Sequence, residues 1–474
     1  MDAQFLLLPE ELLIEIVQVS SLGSIICIRQ TCKRLYNISK SAAVWRYIAS
    51  REHPQPLLLE RPVESYTPDD LEVLVLKRRR VEVGFRKLMQ GGKSPRFKIS
   101  LDCYVNGTMH LIRGGRWLLI STPNGGVIYL DLDIKLQAAS NLFNPWRILV
   151  RERTTSRNYT THMSIDIDHT SPYLKFNLAL LCFSSYLTTI YEIEVWQVTM
   201  ELNDRGFGVG LQAKLLNSFS DEPPQWVGSV ALQGDNLLCT IFVSPSYRTH
   251  VVVLPWKEAN SADFLKRAID CHSLSFSFVH ATPGQRLFTA DNGVGRLIDL
   301  SSVPETTTIL APQGIASLQP LATAPFPSYI TNLSGFTAYP DGSVRCVASD
   351  NKTLYGIVGS STSGEDPNSE SLQVIPLAKA TKPTDFGRSI ILSDDFCLMW
   401  STSKGLTLRQ IAWPTDPSSK SDIRHLTDNP GVRLDRSTPI AHKANFSCLL
   451  DASSGRVIVQ QRGFLYVYDF ALLS

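Results

Sequence analysis

LLISTPNGGVIYLDL at 118–132 alternates apolar strand residues about an Asn-Gly step, and RLFTADNGVGRLIDL at 286–300 lies on it without a gap. Both keep the apolar positions, the Asn-Gly pair at 124–125 or 292–293, and a terminal Asp-Leu. Asn and Gly accept the positive φ that a tight hairpin requires, so each stretch is predicted to be strand, turn, strand. The offset from 118 to 286, 168 residues, marks an internal repeat.

Working outward, IYEIEVWQV at 190–198, HVVVLPW at 250–256, TLYGIVG at 353–359, GLTLRQIAW at 405–413 and GFLYVYDF at 463–470 read as further copies of the late strand. With YLDL and LIDL they make seven, and their mean step of about 56 residues goes three times into the repeat offset. Short strands at that turn-rich period predict a β-propeller, each blade a four-stranded sheet burying its faces against its neighbours. Seven blades is the count, with six or eight as near alternatives. A pair of β-sandwich domains is the competing architecture. None of the eight tryptophans is followed by Asp, and the Gly-His element is missing too, so the blades carry no WD40 signature.

The first fifty residues have a different texture. Pro9 with Glu10 and Glu11 behind it suits a helix start, where a missing N–H costs nothing and the macrodipole favours acids. Leu12, Leu13, Ile16 and Val17 form an apolar stripe that Ser20-Ser21-Leu22-Gly23 breaks. Ile25, Ile28, Cys32, Leu35 and Tyr36 predict a second amphipathic helix, and Ser41 caps a third that carries Trp45 and Ile48. Three helices of this size bury little surface, so the unit calls for a partner.

Leu8-Pro9-x-Glu11-Leu12-Leu13, then Ile16, then Arg29-x-Thr31-Cys32-Lys33-x-Leu35, then Val44-Trp45-Arg46 together resemble an F-box, as found in many fungal F-box proteins, over roughly residues 5 to 49. The resemblance implies docking onto the Skp-family adaptor of a cullin-RING ubiquitin ligase. By position, Leu8, Pro9, Leu12, Leu13, Ile16, Ile28, Cys32, Leu35 and Trp45 would form or support that contact. A small helical cap on the following domain is the structural alternative.

Thr67-Pro68-Asp69-Asp70 opens the longest helical pattern, over roughly 68–90, with Gly91-Gly92 as its stop. It reads as a stiff connector that sets the distance between adaptor and receptor surface. Lys77-Arg78-Arg79-Arg80 inside it is a nuclear localisation signal, a phosphate-binding strip or, the plainer reading, a solvated face set against Glu72 and Glu82. The organisation is therefore an F-box at 1–50, a linker with connector helix at 51–96, and a propeller-like domain at 97–474: multi-domain, α followed by all-β.

A formal charge of +2 gives no footprint for nucleic acid or an anionic membrane, and no apolar run approaches bilayer length. Nine cysteines without a CxxC pair fit buried thiols in cytoplasm or nucleus. Chemistry is hard to find. The sequence lacks a P-loop, an HExxH and a nucleophile elbow. Gly206-Phe207-Gly208-Val209-Gly210 reads as a turn, and His162, Ser164, Asp166 and Asp168 as the polar outer face of a strand rather than metal ligands. The Ser-rich stretches 360–371 and 414–424 read as loop insertions, with regulatory phosphates as the sharper alternative. The expectation is a non-catalytic substrate receptor of a ubiquitin ligase, without cofactor or metal, whose propeller binds an unidentified protein substrate. The runners-up are a propeller hydrolase, which would need acids from several blades to converge, and a non-degradative scaffold.

Overall fold

The computed structural model describes the chain from Phe5 to Leu473 apart from segments of which the longest are 52–59, 90–95, 101–107, 134–145, 185–190, 272–277, 307–312, 361–370, 380–388, 414–423, 426–431 and 434–446. The Gly91-Gly92 stop and most of both Ser-rich stretches lie outside the described residues.

Helices come first: α1 (Glu10–Val19), α2 (Leu22–Arg29), α3 (Lys33–Ser39), α4 (Ala42–Arg51) and α5 (Pro68–Met89). The bundle thus has four short helices where the sequence predicts three. The stretch from Ile25 to Tyr36 divides because the Gln30 N–H closes α2 on the Cys27 and Ile28 carbonyls, and Cys32, extended at φ −158° and ψ 162°, begins α3. The periodicity survives the break because both pieces bury the same side, through Ile25, Leu35 and Ile38. Two of the other helix starts are capped by side chains. Ser21 Oγ accepts the Ser24 N–H at 3.1 Å and Ser41 Oγ the Val44 N–H at 3.4 Å.

At α5 the capping is reciprocal. Thr67 Oγ1 accepts the Asp70 N–H at 3.1 Å while Asp70 Oδ2 accepts the Thr67 N–H at 3.1 Å. Twenty-two residues make this helix about 33 Å long. It is not a free-standing connector. Leu71 and Val75 complete the bundle core around Leu13, Val17, Leu35 and Trp45. Further along, Val81 and Phe85 join Val457, Val459, Tyr468 and Phe470 of the β region. Gly84 is required there, because a Cβ would collide with the Phe470 carbonyl.

The strands pair into seven sheets, and successive sheets touch in order, the last also touching the first, so that they close a ring. Five are four-stranded; the other two carry short added strands at their outer edge, and one of these has its innermost strand in two pieces, Asn332–Leu333 and Thr337–Ala338. All seven late strands picked out in the sequence are the third strand of their sheets: Val127–Asp131, Tyr191–Leu202, Arg248–Pro255, Val294–Asp299, Thr353–Ser360, Gly405–Gln410 and Phe464–Asp469. The helices are followed by an all-β propeller. Its core lies between sheets; Trp117, Leu119 and Val127 of one pack against Phe176, Leu178 and Val198 of the next. The ring closes where Arg96–Ser100, just beyond α5, pairs antiparallel with Phe464–Asp469.

The two Asn-Gly hairpins differ in detail. Asp291 pairs directly with Val294, leaving a two-residue turn with Gly293 at φ +81°. Around Asn124 the last strand pair is Ser121 with Val127, and the Thr122 N–H reaches the Gly126 carbonyl at 2.9 Å, so that loop is longer. The repeated terminal Asp does the same work in three sheets. Asp131, Asp299 and Asp469 each accept, through Oδ1, the N–H two residues on, at 2.9, 2.9 and 3.0 Å. Asp131 and Asp469 are also held by Arg116 and Arg456. The acid thus stops the third strand, and in two of the sheets ties it to the second, without a tryptophan preceding it in the chain.

Candidate functional site

Two places on this scaffold are built to meet something else. The first is the outer face of α1. Leu13 and Val17 point into the bundle, while Leu12, Ile16 and Val19, at i, i+4 and i+7, stand 45%, 36% and 65% exposed. Leu7, Ile26 and Tyr36 are exposed as well. A helix that buries one apolar stripe and shows another leaves the second for a partner. The segment before α1 is held down by Arg34, whose guanidinium donates to the Leu6 carbonyl and, at 2.7 Å, to the Leu8 carbonyl.

The residues singled out in the sequence divide accordingly. Pro9, Leu12 and Ile16 are on the surface, and Leu8, Ile28 and Cys32 are half-buried. Leu13, Leu35 and Trp45 lie in the core and act from behind. Trp45 is anchored by its indole N–H, which donates to the Ser39 carbonyl at 2.9 Å. Leu7, Val19 and Ile26 were missed, although continuing the Leu12, Ile16 spacing by three would have found Val19.

The second place is the central channel. The strand Tyr159–Ile167 is the innermost of its sheet, so the face carrying Ser164 and Asp166 is not a solvated outer face. Ser164 Oγ accepts the Leu232 N–H at 2.8 Å and Asp166 Oδ2 the Gly234 N–H at 2.7 Å, which stitches this sheet to the next. Burial pushes the Asp166 carboxyl above its ordinary range. Asp168 instead holds Thr170 and pairs with Lys175 at 3.1 Å. Among the described residues no group of acids, histidines and cysteines could hold a metal ion. Gly206 sits at φ +75° in the turn between two strands, as expected.

Residues 61–63 line the channel cavity, and the stretch around them is tied to the propeller. Glu60 meets Arg116 at 2.6 Å and the Trp117 indole at 2.8 Å, and its carbonyl accepts the Leu174 N–H at 2.9 Å. Arg61 is bound to Asp70 at 2.9 Å and lies between the rings of Tyr66 and Phe207. In the basic run, the exposed Arg79 pairs with Glu82 as the solvated-face reading has it, whereas Lys77 reaches across to Asp133 of the propeller and Arg78 is half-buried. Glu72 plays no part there; it faces the bundle and binds Arg29 and Lys40.

The family model of the F-box domain matches residues 5–47. The chain carries an N-terminal F-box followed by a β-propeller-like region. F-box domains generally bind Skp-family adaptors, and F-box proteins are typically non-catalytic substrate receptors. Among curated proteins no sequence matches this chain. Among solved structures, the β-propeller domain of Cps50 (Swd1) from Myceliophteria thermophila is 11% identical, with 79% of this chain and 99% of that one covered and a TM-score of 0.42. The WD40 domain of SCAP from fission yeast is 9% identical, covering 79% and 98%, with a TM-score of 0.36. The AfRom2 CNH domain is 11% identical over 79% and 98%, with a TM-score of 0.37. The propeller assignment rests on strand order and not on likenesses of this degree.

Proposed function

We propose that the chain is a substrate-recognition subunit of a Skp-cullin-F-box ubiquitin ligase. Its F-box would engage the adaptor, and through it the cullin-RING ligase, while the propeller, counted as seven blades at one per sheet, holds a protein substrate near the transfer machinery. It contributes proximity and carries out no transfer itself. The observation that carries the reading is the exposed stripe Leu12, Ile16 and Val19 on a module that the F-box family model matches. The seven described cysteines are all free thiols, in keeping with cytoplasm or nucleus. Against a channel hydrolase stands the origin of the acids lining the channel cavity: Asp166 and Asp168 come from one sheet rather than from several.

The test is co-expression with a Skp-family adaptor, followed by pull-down and size-exclusion chromatography. A matched Pro9→Ala, Leu12→Ala, Ile16→Ala variant alters surface positions and leaves the bundle core alone. Interface anchors cost about 2 kcal/mol each on truncation, so a real interface weakens by orders of magnitude. Failure of the folded wild type to bind would reduce the module to a cap and bring the scaffold reading forward.

A further inference from the structure

Where the innermost strands end beside Arg61-Pro62-Val63, the channel widens into a cavity of about 930 Å³, within the range of small-ligand sites. Most of its charges are already spoken for. Arg61 is bound to Asp70, Lys175 and Asp168 neutralise each other, and Asp166 accepts a backbone N–H. Arg113 is different. It reaches from the Met109–Leu111 sheet to the Thr337–Ala338 strand, four sheets on around the ring, and donates through Nη2 to Thr337 Oγ1 at 2.9 Å. Among the described residues that neutral hydroxyl is its hydrogen-bond partner, and no carboxylate faces it.

His280, on the innermost strand Phe278–Thr282, lines the same cavity and has no hydrogen-bond partner among the described residues. Burial pulls its pKa down to about 4, so at neutral pH the ring is uncharged, with one N–H to give and one nitrogen to accept. Ile165, Leu174 and Phe336 supply apolar wall.

A guanidinium with spare N–H groups, a hydroxyl whose hydrogen is uncommitted and a neutral imidazole form a donor set. The planar fork of arginine matches a carboxylate through two parallel bonds. A dianion fits less well, because Asp166, which no cation neutralises among the described residues, lines the same cavity and would repel it. We propose that the channel cavity binds a single carboxylate carried on an apolar stem, gripped by Arg113 and given a hydrogen bond by His280. The proposal does not depend on adaptor binding.

The test takes the full-length chain and two matched probe pairs: acetylated tripeptides with apolar last residues ending in a free acid or an amide, and hexanoate against hexanamide. Titration calorimetry should show saturable binding of an acid, about tenfold weaker for its amide, and about tenfold weaker again on Arg113→Gln, as expected for loss of a charge-assisted bond. Peptide acids binding without hexanoate identify a chain terminus as the ligand, and the reverse identifies a small acid. Equal binding of acid and amide, no saturable binding of either acid, or undiminished binding by Arg113→Gln overturns the proposal. Should Arg113→Gln fail to fold, the acid-amide comparison on the unaltered chain, together with weakened acid binding by His280→Phe, decides the question in the same way.

Discussion

The helical bundle and the propeller are closed by opposite ends of one helix, and by different means. The bundle takes from α5 two aliphatic side chains, Leu71 and Val75, and adds a charged lock in which Arg29 meets Glu72 at 2.6 Å and Lys40 meets Glu72 and Asp69 at 2.9 and 2.8 Å. The propeller takes Val81 and Phe85, with the half-exposed Lys77–Asp133 pair beside them, and lets the helix backbone come close at Gly84. The Phe85 and Phe470 rings sit 4.6 Å apart, and a Cβ at Gly455 would press on Val81. The difference follows from size. Some forty-five residues cannot bury a sufficient core, so the bundle borrows one and holds the loan with charges, whereas the ring has its core between sheets and needs only a cover for one exposed edge.

Four substitutions break or sharpen that contrast. Trp45→Ala empties the centre of the bundle and should cost about 3–5 kcal/mol, abolishing adaptor capture while the propeller's calorimetric transition stays in place. Retained capture would mean the bundle is more autonomous than its packing says. Gly84→Val forces α5 off the propeller and should cost about 3 kcal/mol, with faster hydrogen exchange across 464–470 and unimpaired capture by the bundle. If exchange quickens in the bundle instead, the helix belongs to one body only.

Glu72→Gln removes the charge from the lock and should cost about 2 kcal/mol at neutral pH. Burial works against the Glu72 carboxylate, but the bonds from Arg29 and Lys40 win and hold its pKa below the ordinary 4.5. A depressed folded pKa contributes stability that is full above that ordinary value and fades as pH falls through the folded one. The variant's stability should therefore be flatter than wild type below about pH 4.5, measured by thermal unfolding across an acid series; parallel curves would remove the lock from the account. Lys77→Ala, at a half-exposed pair with Asp133, should move the melting temperature hardly at all, by about 0.5 kcal/mol or less. A large effect would show the basic run to be structural after all.

Much of the ring was legible because its signals are local. Alternation recurs at a period through all seven sheets, with an Asn-Gly step in two of them and an Asp that stops the third strand in three, and a period needs no knowledge of what packs against what. The break at Gln30–Cys32 was invisible to the same method, since two helices burying one side keep the spacing of one. The face of Tyr159–Ile167 was misjudged for a related reason: alternation separates two faces but does not say that a strand is the innermost, where Ser164 and Asp166 bond to the next sheet instead of to water. The double engagement of α5 could not be read at all. Leu71 to Phe85 lie near one helical face, and only the fold sends the early members of that stripe into one core and the late members into another. In the candidate site, Arg113 gave no signal, because reaching across the channel is a property of the closed ring.

The seam itself has a consequence for how the protein comes into being. Among the propeller's strands Arg96–Ser100 is the first to leave the ribosome and its partner Phe464–Asp469 the last, so the ring stays open through almost the whole of synthesis. The bundle needs nothing beyond Val75 and can be finished long before. A nascent or prematurely terminated chain thus displays a complete helical module while Phe85 and the edge of Arg96–Ser100 wait unpaired, and a cell that must tell whole chains from broken ones has, in that bare edge, something to recognise.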